Sequence, residues 1–92
     1  MNFGQILKSL RIKKGLSIKK LAPELGLNYT YISKIESSKV IPSEDVLNKI
    51  SNYFHYSSDE IMLAAGKIPK DVQKILQENP IEAIKYLRKE FG

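Results

Sequence analysis

Cationic side chains are concentrated in the first forty residues of the 92-residue chain. This segment carries eight Lys and Arg against two Glu, a net charge of +6, whereas residues 41–92 carry seven basic and eight acidic side chains, a net charge of −1. A local excess of positive charge is typical of a surface that meets a polyanion, such as nucleic acid, an acidic membrane or an acidic protein. A solvated lysine-rich face is the alternative, and charge alone does not decide between them.

Groups that support catalysis are sparse. The chain has no cysteine, which excludes a thiolate nucleophile, a disulfide and a sulfur-ligated metal. Its one histidine, His55, has no partner spaced for metal binding or for a catalytic triad. Two acidic pairs, at 44–45 and 59–60, fall in the first turns of predicted helices, where the helix dipole favours carboxylates. We therefore expect a binding protein and not an enzyme, with no cofactor and no metal.

Length and composition indicate a single small globular chain. The longest apolar run, Ile61 to Ala65, has five residues, whereas a membrane-spanning helix needs roughly 20. Residues 1–15 also lack the apolar core of a signal peptide. We expect a cytoplasmic protein.

Helical periodicity and helix-end residues recur along the whole chain, and strand signals are absent. Apolar residues three and four apart and terminal glycines predict five short helices before Gly66, one of them over 28–36. The predicted N-caps are Ser17, Asn28, Ser43 and Ser57. Pro69 and Pro80 stand where the first residues of two further helices are expected, over 69–78 and 80–90. The predicted fold class is all-α.

Two of the predicted helices are joined by only about four residues, so they must cross steeply. Such a crossing needs a small residue where the helices touch and a glycine that can adopt positive φ in the turn, and Ala22 and Gly26 satisfy these needs. The apolar residues that would pin one helix on the other are Leu21, Leu25, Leu27, Ile32 and Ile35. This ordered spacing predicts a helix-turn-helix.

The run GLSIKKLAPELGLNYTYISKIESSKVIPSEDVL resembles the lambda-repressor-like helix-turn-helix family, the XRE group of phage repressors, restriction-modification controllers and antitoxins. The likeness covers roughly residues 3–66. It implies a five-helix bundle in residues 1–66 that binds double-stranded DNA, with helix 28–36 in the major groove. It also implies a nucleoid-associated transcriptional regulator, of the repressor type, that acts as a homodimer on a palindromic operator.

The start of helix 28–36 carries the residues expected to read DNA bases. Ile32 and Ile35 point inward, and the outward positions match the base-contacting positions of the family: Tyr29, Thr30, Ser33 and Lys34. A lysine ammonium can donate to guanine, and a threonine methyl can contact thymine. Packing against neighbouring helices is the alternative for Tyr29, and it is the favoured interpretation for Tyr31.

Phosphate contacts are expected from the N-terminal end of the second helix and from the loop after the third. The candidates are Ser17, Lys19, Ser37 and Lys39. For Lys13, Lys14 and Lys20 a solvated surface is an equally good interpretation. Arg11 and Glu36 match family positions that form a structural ion pair between the first helix and the end of the third.

Three residues depart from the family pattern. Ile18 stands where glutamine is frequent, so a contact to the third helix or to the DNA backbone is lost. Ser38 replaces a glycine after the third helix, and a residue with a Cβ is strained at positive φ. Pro23 lies inside the second helix, where its missing N–H and its ring favour a kink.

Residues 67–92 form a C-terminal extension with an apolar stripe that must be buried somewhere. The stripe consists of Val72, Ile75, Leu76, Ile81, Ile84 and Leu87. It can fold back on the bundle, form a homodimer interface, or dock a partner protein. The last possibility suggests a second function, an antitoxin or anti-repressor type of protein-interaction module.

Overall fold

The computed structural model describes residues 1–92 and contains seven α-helices and no strand. The helices are α1 (Phe3–Lys13), α2 (Ile18–Leu25), α3 (Tyr29–Glu36), α4 (Glu44–Phe54), α5 (Ser58–Ala64), α6 (Lys70–Glu78) and α7 (Pro80–Phe91). The predicted all-α class is confirmed, with a five-helix bundle followed by a two-helix extension. None of these helices is long and apolar enough to cross a membrane.

Side-chain caps determine where five of the helices begin. At four predicted positions a side-chain oxygen accepts a backbone N–H from the first turn, and these positions are Ser17, Asn28, Ser43 and Ser57. Asn2 adds an unpredicted capping box to α1, because Gln5 N donates to Asn2 Oδ1 over 2.9 Å and Asn2 N donates to Gln5 Oε1 over 3.0 Å. Such caps satisfy N–H groups that have no partner inside the helix.

The hydrophobic core lies among α1–α5, and each of these helices contributes to it. The fully buried large side chains are Leu7, Leu21, Ile32, Ile35, Pro42, Leu47, Ile50 and Ile61. Ile32 and Ile35 are thus inward, as the spacing predicts. The core fixes α3 by one side only and leaves the opposite side to solvent.

The turn between α2 and α3 has the features that its sequence predicts. Gly26 adopts a left-handed conformation with φ +65°, and Leu27 N donates to Ala22 O over 2.9 Å. Ala22 is buried where the helices meet. Pro23 lies within α2, which continues through it to Leu25. The two short helices are thereby held as a helix-turn-helix.

The C-terminal extension stands apart from the bundle. Helices α6 and α7 are separated only by Asn79 and pack on each other, and neither contains a buried residue. The molecule is correspondingly elongated, 46 Å long by 24 Å and 22 Å. The apolar stripe of the extension is therefore not covered by folding back, which was one of the expected outcomes.

Candidate nucleic-acid interface

The predicted base-contacting residues share the side of α3 that faces away from the core. They are Tyr29, Thr30, Ser33 and Lys34; Ser33 is half-buried and the other three are exposed. Within this group Lys34 supplies the only charge, and three hydroxyls supply the other donors and acceptors. The face can therefore donate hydrogen bonds to base edges and offer ring or methyl carbon to thymine.

Lys34 is not engaged with any acidic side chain. The two ion pairs of the structure join Arg11 to Glu36 and Lys74 to Glu78. Lys34 thus presents a solvent-exposed ammonium whose three N–H groups are free to donate. Because no carboxylate needs to be displaced, an incoming anion or guanine edge meets this group directly.

The residues predicted to contact phosphate lie at both ends of the helix-turn-helix. Lys19 and Lys39 are exposed, at the start of α2 and just after α3. The Ser17 hydroxyl accepts a hydrogen bond from Lys20 N over 3.2 Å. The Ser37 hydroxyl donates to the helical carbonyls of residues 33 and 34 over 3.0 and 3.2 Å, so it is already partnered in the free protein. Among these four, the two lysines are the groups most available to a phosphate.

The turn after α3 fixes the position of Lys39. Ser38 adopts φ +62°, Ser38 N donates to Ile35 O over 3.0 Å, and Lys39 N donates to Lys34 O over 2.8 Å. This pair of bonds is the Schellman arrangement, whose left-handed residue is usually glycine. Serine there is strained by its Cβ. The turn holds the two cations Lys34 and Lys39 at the C-terminal end of α3.

Arg11 connects α1 to the C-terminal end of α3. Its Nε donates to Glu36 Oε2 over 2.7 Å and its Nη2 donates to Glu36 Oε1 over 3.0 Å, while Nη1 donates to Leu16 O over 2.8 Å. The Arg11 and Glu36 side chains are 12% and 7% exposed. The hydrogen bond to Glu36 raises the pKa of Arg11 above its ordinary value. One guanidinium thus ties together α1, the end of α3 and the turn before α2.

Gly4 forms a second connection between α1 and α3 that sequence reasoning missed. A Cβ at this position would lie 2.6 Å from Ile35 O and 2.8 Å from Glu36 O, both in the backbone of α3. The first turn of α1 therefore lies against the last carbonyls of α3, with room only for hydrogen at position 4. The available signal is a glycine near the start of a predicted helix, where alanine has the higher helix propensity.

The structure also shows the surroundings of three side chains interpreted above from the sequence, at positions 14, 18 and 31. Lys14 is not simply solvated, because its Nζ lies 3.9 Å from the centroid of the Tyr53 ring in a cation–π contact. Ile18 is half-buried against the core, so packing replaces the polar contact of the family's glutamine. Tyr31 also packs against the core, as the favoured interpretation had it.

Comparison with known proteins finds one matching protein family and two similar transcriptional regulators. Residues 7–61 match the model of the helix-turn-helix family HTH_3. The HTH-type transcriptional activator BcrR of Enterococcus faecalis is 39% identical over 62 residues, 67% of this chain and 30% of BcrR. The HTH-type transcriptional regulator ImmR of Bacillus subtilis is 30% identical over 90 residues, 98% of this chain and 71% of ImmR. The chain thus spans less than a third of BcrR, and no solved structure matches it significantly.

Proposed function

We propose that this chain, which belongs to the helix-turn-helix family HTH_3, is a sequence-specific transcriptional regulator that reads the DNA major groove with α3. The family is one of DNA-binding regulators, and the relatives are named as such. The observation that carries the proposal is the exposed, unpaired donor face of α3, in the segment of the chain that holds the net charge of +6. Binding, and not catalysis, is the proposed activity.

The reading face suggests which base edges it recognises. Lys34 donates to guanine O6 and N7, which is the major-groove pattern that a cation selects. Thr30 and Tyr29 contact thymine methyl groups or neighbouring base edges, and Ser33 supports them from a half-buried position. Phosphate contacts from residues 17, 19, 37 and 39 fix the position of α3 in the groove.

We propose further that the regulator acts as a homodimer on a palindromic operator. A single module of this size buries only about 600–1,000 Å² on DNA, which limits selectivity. Two copies place two reading helices one DNA turn, about 34 Å, apart. The proposed role of the extension, residues 67–92, is dimerisation or partner docking, and that of residues 1–66 is DNA binding. Because the proposed ligand is DNA, the proposed location of the protein is the cytoplasm, at the nucleoid.

The proposed sign of regulation is repression. A dimer bound over a promoter blocks polymerase by occupying the DNA, so no further surface is required. The relative BcrR is named an activator. A reporter fused to the selected operator and promoter separates the two signs: expression that falls when the protein is supplied supports repression, and expression that rises contradicts it.

Two lysine substitutions test the division of labour on an operator selected from random DNA. Lys34→Ala should weaken the selected site by about 1–3 kcal/mol per copy and relax the preference at one base position. Lys39→Ala should weaken all sequences alike and reduce the salt dependence by about one counterion per copy. Gel shifts on selected and scrambled duplexes over a salt series measure both effects. If the two variants behave alike, Lys34 does not read a base.

A protein-interaction module of the antitoxin or anti-repressor type is the second candidate. The exposed apolar side chains of α6 and α7 favour it, because such a surface suits a protein partner. Under this alternative the chain would not shift duplex DNA from its own upstream region at low salt, whereas the regulator proposed above would.

A further inference from the structure

The C-terminal extension is the most apolar part of the surface. Seven large apolar side chains are exposed in α6 and α7, against six in the whole of residues 1–69. The seven are Val72, Ile75, Ile81, Ile84, Tyr86, Leu87 and Phe91. Since α6 and α7 are joined by the single residue Asn79, they form a bent unit, which we call the C-terminal elbow (residues 70–91).

The elbow has two separate apolar surfaces. Its inner angle is a concave groove of about 460 Å³, lined by six apolar residues of both helices: Val72, Ile75, Leu76, Ala83, Tyr86 and Leu87. The outer edge of α7 carries Ile81, Ile84 and Phe91, none of which lines the groove. Ile81 and Phe91 are 75% and 81% exposed.

The two surfaces of α7 are too broad for one neighbour to cover. At 100° per residue, its apolar positions extend over roughly 220° of the circumference, interrupted by Glu90 and Arg88, whereas a helix that packs on one core needs a stripe little wider than 100°. Helix α6 covers one side only. The remaining side requires a further helix, and α1–α5 do not provide one.

The exposed apolar area and the net charge of the elbow indicate which molecule supplies that further helix. Taken with their exposed fractions, the seven side chains offer roughly 700 Å² per chain, close to the 800 Å² that one partner contributes to a standard stable interface. The elbow carries five basic and four acidic side chains, a net charge of +1. A second elbow therefore approaches without strong repulsion, unlike the bundle with its basic half.

We propose that the partner is a second copy of this chain, and that the outer edge of α7 in each copy packs into the groove of the other elbow. Such reciprocal contact is what a two-fold axis requires, since every contact then occurs twice. The inference builds on the proposed function, because it assigns the dimerisation of the regulator to the elbow and leaves both α3 helices free for DNA.

The oligomeric state of the full chain with paired substitutions tests the elbow. Wild-type protein should sediment at twice its 10.5 kDa chain mass at micromolar concentration. Ile84→Asp on the outer edge and Ile75→Asp in the groove should each raise the dimer dissociation constant more than about 30-fold, as loss of an interface hot spot does. Lys85→Asp, on the polar side of α7, is the matched control and should remain dimeric.

Two further readouts separate folding and DNA binding from dimerisation. Ile84→Asp should leave the melting temperature of the α1–α5 bundle in the monomer unchanged, because position 84 does not contact the core. It should also keep the affinity for an isolated half-site while losing cooperative binding to a full palindrome. A monomeric wild type, or a dimer that survives both Ile84→Asp and Ile75→Asp, overturns the elbow dimer. If the elbow dimer is overturned but the protein still binds a half-site, the DNA-binding proposal stands. If neither wild type nor any variant binds a half-site, the DNA-binding proposal is contradicted.

Discussion

Replacing Gly4 by alanine should push α1 away from the C-terminal end of α3. The added Cβ would lie 2.6 Å from Ile35 O, whereas ordinary van der Waals contact begins at 3.4 Å. The separation must therefore increase by at least 0.4 Å, to the 3.0 Å limit of real Cβ contacts, and by 0.8 Å to reach ordinary contact. Both close atoms are backbone carbonyls and cannot rotate away as a flexible side chain would. Either α1 or the C-terminal end of α3 has to move.

The expected change in stability follows from two opposing terms. Overpacking of this kind costs about 1–3 kcal/mol. The helix propensity of alanine returns about 1 kcal/mol, so we expect a net loss of up to about 2 kcal/mol and a melting temperature lower by up to roughly 15 °C. Ser9→Ala, at an exposed position of the same helix, is the control for propensity and should not lower the melting temperature.

The same displacement should affect DNA reading more than general DNA binding. Where α3 is the helix that moves, a shift of up to 0.8 Å at its end is enough to take a base contact beyond hydrogen-bonding distance. At a temperature where the variant is fully folded, we expect the ratio of specific to non-specific affinity to fall about tenfold, the equivalent of one weakened base contact per complex. Anisotropy titrations with selected and scrambled duplexes measure this ratio. A melting temperature at or above that of the wild type, or equal losses on both duplexes, would refute the reasoning.

Two further changes test the structure around α3. Arg11→Ala should lower the free energy of unfolding by about 3 kcal/mol in urea titrations, since it leaves a nearly buried Glu36 carboxylate unpaired, and Arg11→Lys should lose less because it keeps the charge. Equal stability of wild type and Arg11→Ala would contradict this role. Ser38→Gly should gain about 1 kcal/mol by removing the strain at φ +62°, whereas Ser37→Gly, at φ −88°, should not; a destabilised Ser38→Gly would show that the strain is absent.

The sequence was sufficient to predict the arrangement of the helix-turn-helix, because local physical chemistry determines it. Caps at Ser17 and Asn28 satisfy the first N–H groups, Gly26 permits the tight turn, and the spacing of Ile32 and Ile35 chooses the inward side of α3. Each of these signals lies within a few residues of the feature that it determines. The outward face of α3 follows by elimination.

Features that depend on contacts between distant segments could not be read in this way. The close approach of Gly4 to the backbone of residues 35 and 36 joins positions thirty residues apart, and the stacking of Lys14 on Tyr53 joins positions almost forty apart. Neither leaves a periodic pattern in the sequence. The fate of the C-terminal stripe was likewise undetermined, because an amphipathic helix has the same pattern whether it covers its own bundle or another molecule.

The most direct test of the central claim is the salt dependence of binding between the full chain and duplex DNA from its own upstream region. If the regulator binds as a dimer that neutralises phosphates through Lys19 and Lys39 of each copy, the logarithm of the binding constant should fall with the logarithm of the salt concentration with a slope of about −3.6. Binding that is absent at low salt, or that is independent of salt, would contradict DNA recognition by the basic half of this chain.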